Sequence, residues 1–204
     1  MTLNEYQPKA VATLNPELTL LERLGTCGMG LACEALELST WLFPKGNEYK
    51  FLAAPHCKDR ELEIAKELGD LTWYSAGIAG ALDLSLAEIC GEPSGRTNTS
   101  AITFVNALSA DNSKIQYSFY RLCEKVEVVA GLLKWVVYHG HDLTEEYSKK
   151  IEKALRSIIH EVQCLAASAC SMKLSAVLEM NIEKLRKRYP SGVFTTKDSV
   201  ERTE

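Results

Sequence analysis

LACEALELSTWLF, residues 31–43, and RLCEKVEVVAGLL, residues 121–133, read as two copies of one amphipathic helix. A shift of 90 residues lays Glu34 on Glu124 and Glu37 on Glu127. The same shift lays Leu84-Ser85 of DLSLAEIC on Leu174-Ser175 of KLSAVLEM, and the helices between agree in length and apolar phase. Self-similarity at a fixed spacing is the mark of a repeated structural unit. The expected fold is therefore all-α, with two related helix-pair halves, residues 1–90 and 101–204. GEPSGRTNTS, residues 91–100, is the linker, because Gly, Pro, Ser and Asn cluster there and break any helical pattern.

Working outward, Thr2-x-x-Glu5 predicts a capping box at the start of a first helix. Its apolar face carries Leu3, Tyr6, Ala10, Val11 and Leu14, and Asn15-Pro16 should end it. A second helix is expected from about Thr19 to Phe43, stopped by Pro44 and Gly46. A loop follows to Lys58, then a third helix from near Asp59 to about Leu82 and a short fourth one capped by Ser85. In the second half, helices are expected up to about Tyr138, from an Asp142-x-x-Glu145 cap through about Ala169, and from near Ser175 to Pro190. Only the interval from Ala101 to Ser109 would tolerate either helix or strand.

Composition narrows the function. Hydrophobic residues make up 46% and charged residues 25% of 204 residues, ordinary values for a chain with a sizeable core. Lys and Arg total 23 against 27 for Asp and Glu, so the net charge of −4 does not suit non-specific binding of nucleic acid. The seven cysteines form no C-x-x-C pair and several lie in apolar helical pattern, which reads as reduced, buried thiols rather than a zinc site. No signal pattern opens the chain and no apolar run reaches a membrane span, so a cytoplasmic protein without a membrane partner is expected.

The chemistry is carried by acids. Glu34-x-x-Glu37 lies in the second helix and Glu67-x-x-Asp70 in the third, and residues three apart share a helical face. Antiparallel packing would bring both pairs to one point. Four inward carboxylates would repel one another and be costly to desolvate, unless a divalent cation sits among them. Oxygen-only ligands favour magnesium or manganese over zinc. Gly69-Asp70 strengthens this reading, since Gly costs roughly 1 kcal/mol against Ala inside a helix and Asp is a poor helix former. Close helix approach at Gly69 and a ligand at Asp70 would account for both.

GLACEALEL, KELGDLTWY and LEMNIEKLRKRYPSGVF, with the opening TLNEYQPKAV, resemble the MazG-like nucleoside triphosphate pyrophosphohydrolases, including their phage and dCTP-pyrophosphatase relatives. The likeness covers roughly residues 1–90 and 175–200. This chain departs from the family at Cys33 and Leu36, where small residues are usual beside the first acidic pair. The resemblance implies a bundle of packed helices and Mg2+-dependent hydrolysis of a nucleoside triphosphate to monophosphate and pyrophosphate. It assigns metal ligation to Glu34, Glu37, Glu67 and Asp70, with Glu34 or Glu37 as the catalytic acid–base group. It assigns substrate contacts to Tyr74, Asn181, Lys184, Arg188 and Tyr189. The segment between Gly91 and Met172 is longer than in the simplest relatives, which together with the repeat implies a fused pseudo-dimer with one degenerate half, as in the dimeric dUTPase relatives. Further pairing into a homodimer stays open.

The second half is expected to lack a complete acid set: the shift places Glu67 on Ser157 and Asp70 on His160, and a one-residue slip that brings Glu161 onto Asp70 does not restore two acids at this spacing. His139-Gly140-His141 reads as a turn, His160 as a core or interface residue, and Trp73 as core rather than base-stacking. No P-loop and no Gly-x-Ser-x-Gly elbow is present. The competing expectations are a narrow dUTP or dCTP hydrolase, and a catalytically silent helical module that binds a nucleotide or a protein.

Overall fold

A computed structural model describes residues 1–43, 58–92 and 112–201, and the regular structure among them is entirely helical. The helices are α1 (Leu3–Val11), α2 (Leu20–Leu42), α3 (Lys58–Ala81), α4 (Leu86–Ile89), α5 (Asn112–His139), α6 (Glu145–Cys170), α7 (Leu174–Arg188) and α8 (Thr196–Val200). Most of the expected loop before Lys58, most of the expected linker and the ambiguous interval 101–109 lie outside the described residues.

Capping chemistry sets most helix starts. Thr2 accepts from the Glu5 amide while the Glu5 carboxylate accepts from the Thr2 amide, and Thr19 and Glu22 repeat the arrangement at α2. The expected Asp142 cap is replaced. Thr144 accepts from the Tyr147 amide at 3.2 Å, and α6 begins one residue later. Leu143 packs against the core and Thr144 is extended, so the chain begins to coil only after them. The turn ahead of it pivots on Gly140, whose φ of 69° suits glycine. α1 ends at Val11, before Asn15-Pro16, because Thr13 and Leu14 bond back to Ala10 and Val11 in a tighter turn. Leu14 is nonetheless buried. The short α8, which helical periodicity gave no sign of, is capped by Thr195 onto the Asp198 amide.

α2 and α3 form one hairpin, α5 and α6 another, and the two stack with α2 on α5 and α3 on α6. The four long helices enclose one continuous core that includes Leu31, Leu38, Leu68, Leu122, Val129, Ile158 and Val162. α1 and α7 lie against α3, and α4 against α6. α1 is fastened at both ends. Gln7 donates to the Leu84 carbonyl at 2.8 Å and accepts from the Leu86 amide at 2.7 Å, while the Phe194 amide donates to the Ala12 carbonyl at 3.0 Å. No helix among the described residues is long and apolar enough to cross a membrane.

Candidate metal centre

The acidic site sits where α2, α3 and α7 meet. α2 and α3 run antiparallel: Glu34 lies against Glu67 and Asp70, while one turn earlier Gly30 faces Tyr74. A Cβ at Gly30 would lie 2.2 Å from the Tyr74 ring, so only glycine leaves room for that ring to cross α2. α7 runs alongside α3 in the same direction. Gly69 faces Asn181, and a Cβ at Gly69 would meet the Asn181 Cβ at 2.9 Å. The close approach expected at Gly69 is thus present, and it delivers the tail to the acids.

Carboxylate oxygens of Glu34, Glu67 and Asp70 all lie within 4.8 Å of one another. Glu37 stands outside this group on the exposed side of α2, yet its charge still acts on both Glu34 and Glu67. The crowding has an electrostatic consequence. Burial, followed by the charge of Asp70 and a hydrogen bond with Glu67, pushes the Glu34 carboxyl up to about 8. Glu67 is raised as well, chiefly by burial, with the Glu34 hydrogen bond and Lys184 opposing the rise. Their mutual hydrogen bond raises Glu34 and lowers Glu67, so a proton held by the pair favours Glu34. Like charges packed this tightly are relieved either by a shared proton or by a cation.

α7 supplies Asp70 with partners. Asn181 Nδ2 donates to Asp70 Oδ1 at 2.8 Å, and Lys184 Nζ forms an ion pair with Asp70 Oδ2. Behind Asn181, the Tyr6 hydroxyl of α1 donates to Asn181 Oδ1 at 2.7 Å. Tyr6 is fully buried, and burial with the nearby Asp70 charge drives its pKa well up, so it stays a protonated donor.

No family model, curated protein or solved structure matches the chain.

The remaining expected residues divide. Tyr74 lies half-buried beside the acids, its hydroxyl pushed up to about 12 by burial and then by Glu34 and Asp70, with Arg188 pulling the other way. Among the basic residues of α7, Lys184 pairs with Asp70 and the charge of Arg188 acts on Tyr74, whereas Arg186 and Lys187 are exposed. Arg188 also covers the Tyr189 ring, 5.3 Å from its centroid, and its Nε is buried with no hydrogen-bond partner among the described residues. Two residues expected at the substrate are placed elsewhere. Tyr189 is 2% exposed, with its ring against Phe194, because Pro190 and the φ of 76° at Gly192 fold the tail back onto the end of α1. Asn181 is 3% exposed and both ends of its amide are already bonded, so it stands behind Asp70.

Trp73 packs on α1, donating to the Ala10 carbonyl and the Thr13 hydroxyl, with its edge against Tyr74 at 4.7 Å. That spends its N–H on structure, in line with the core reading. His160 is exposed, 3.7 Å from the Cys164 sulfur, so of the two expectations for it the core one does not hold. In the second hairpin Glu124 and Glu127 are exposed, Glu161 is buried beside Arg121 at 3.8 Å, and Ser157 bonds its own helix. Among the described residues no second group of three metal-ligating side chains forms.

Sequence reasoning overlooked Tyr6. The signal was available: a tyrosine on the apolar face of an amphipathic helix carries a hydroxyl that has to find a partner inside.

Proposed function

We propose that this chain hydrolyses nucleoside or deoxynucleoside triphosphates to the monophosphate and pyrophosphate, with Mg2+ as its cofactor and Mn2+ able to replace it. The observation that carries this reading is the convergence of Glu34, Glu67 and Asp70 within 4.8 Å. The donor set fits a hard divalent cation, being all oxygen and too crowded with negative charge to ionise fully without one. Glu37, one helical turn from Glu34 and close enough for its charge to act on Glu34 and Glu67, is the candidate fourth oxygen donor. When bound, such an ion would activate a water for attack at the α-phosphorus and offset the charge of the departing pyrophosphate.

The chain's own groups have definite tasks in this scheme. Lys184, paired with Asp70, and Arg188, whose charge acts on Tyr74, stand one turn apart on α7 as two cations suited to phosphate oxygens. Glu34 or Glu37 takes the water's proton. Tyr74 borders the site with an aromatic ring suited to a sugar or base. The second hairpin serves as the wall against which the first is held, in keeping with two fused halves of which one has kept the acids.

A second reading has its own support. Both oxygens of Asp70 are satisfied by Asn181 and Lys184 without any metal, which would suit a nucleotide-binding module that does no chemistry. One assay separates the two. Pyrophosphate release is measured from a panel of nucleotides with Mg2+, for wild type, Glu37→Gln and Asp70→Asn. Release by wild type that is lost in the variants is the expected result. No release from any nucleotide favours the binding module, and activity unchanged in both variants removes the site. The same panel tells a narrow dUTP or dCTP hydrolase from a broad one.

A further inference from the structure

We propose that Tyr6 is a positioning residue for the metal centre, acting through Asn181 to fix the carboxylate of Asp70; this rests on the metal reading above. The argument begins at Asp70. An ionised carboxylate only accepts hydrogen bonds, so the Asn181 atom 2.8 Å from Asp70 Oδ1 has to be the amide nitrogen. The amide oxygen then faces Tyr6 at 2.7 Å and has to accept, which makes the tyrosine hydroxyl the donor. Turned the other way, Asn181 would aim its carbonyl at the carboxylate, two acceptors face to face. The Tyr6 proton therefore selects the orientation of the amide that supports Asp70.

The surroundings leave nothing else to do this. Tyr6 is 0% exposed and Asn181 3%, so bulk water does not substitute for either. The alternative acceptor for the hydroxyl, the Gly69 carbonyl, is 3.5 Å away, a far weaker contact. Gly69 itself is what allows Asn181 to reach between α1 and α3. Residues behind a metal ligand orient it, and their loss typically weakens metal binding roughly 10- to 100-fold.

The test uses Mn2+ alone, with the free ion counted by electron paramagnetic resonance during titration of the full chain. Tyr6→Phe keeps the buried ring and removes only the hydroxyl. It should bind Mn2+ about tenfold more weakly than wild type. Asn181→Ala should weaken binding to a similar degree, and Tyr6→Phe added to Asn181→Ala should have no further effect, since the hydroxyl acts only through the amide. Gln7→Ala is the control for a loosened α1: it removes that helix's bonds to Leu84 and Leu86, leaves the network intact, and should bind as wild type does. Unchanged affinity in Tyr6→Phe overturns the inference. So do additive effects in the double variant, or an equal loss in Gln7→Ala. Wild-type protein that binds no Mn2+ overturns the metal reading itself, which is a different result from any of these.

Discussion

The Cα of Gly69 on α3 lies so near Asn181 on α7 that a methyl group there would sit 2.9 Å from the Asn181 Cβ and 3.0 Å from its Nδ2. Glycine at this position is therefore what lets the tail helix lie against Asp70. Gly69→Ala gains about 1 kcal/mol of helix propensity and incurs about 1–3 kcal/mol of overpacking. The expected net effect is a loss of up to about 2 kcal/mol in denaturant unfolding, together with weaker Mn2+ binding as Asn181 is pushed off Asp70. A protein made more stable by the substitution would show that α7 is free to move away.

The Glu34 carboxyl gives the metal-free protein a pH dependence of a definite sign. Its pKa is about 8 in the folded chain against 4.5 for an ordinary glutamate, so between these values the folded state holds a proton that the unfolded state has released. Stability then falls as pH rises through that window and levels off above about 8. Glu67, also raised, adds to the fall. Thermal melts from pH 5 upward in the presence of chelator should show this slope, and Glu34→Gln should flatten it. Mn2+ competes with the same proton, so the rise in melting temperature it produces should be larger at pH 8 than at pH 6. Equal shifts at both would place the ion elsewhere.

Lys184 supplies the positive charge beside Asp70 in the absence of an ion. Its side chain is 49% exposed, so the pair is worth no more than about 1 kcal/mol. Lys184→Met should thus cost little stability. It should bind Mn2+ up to about fivefold more tightly, because the competing ammonium is gone, and yet release pyrophosphate more slowly, because a phosphate partner is lost. Tighter metal binding with slower turnover is not what a purely structural ion pair would give. Loss of metal binding in this variant would count against the arrangement.

The thiols should react in an order set by burial. Cys27 and Cys170 are buried, and burial pushes each up to about 12, whereas Cys33 is exposed on α2, contrary to the buried thiol expected of it. Iodoacetamide at pH 8 should label Cys33 in the native protein and reach Cys27 and Cys170 only after denaturation, as read by peptide mass spectrometry. Early labelling of Cys27 would mean that the contact between α2 and α3 at Gly77 opens in solution.

Much of the fold was legible because local chemistry and global packing agree. Thr2-Glu5 and Thr19-Glu22 cap the helices their spacing announces, and α2, expected from Thr19 to Phe43, runs Leu20–Leu42. Asp142 failed as a cap because the packing of the partly buried Leu143 against the core is a tertiary demand that residue spacing does not express. The acids were legible in the same limited way: spacing put Glu34 and Glu37 on one face, but the face is broad, and only Glu34 turns inward to Glu67 and Asp70.

The sequence by itself determined that this chain is helical, where most helices begin and end, and that two acidic pairs occupy neighbouring helices, because these follow from side-chain periodicity and backbone capping within a few residues. The tertiary structure decided which carboxylates meet, that Asn181 and Tyr189 are packed inside rather than presented to a ligand, and that Tyr6 reaches Asp70 through a residue 175 positions away. Those outcomes depend on how closely α1, α3 and α7 approach. That distance is set by the absence of a side chain at Gly69, and it is a property of the packed helices together rather than of any one of them.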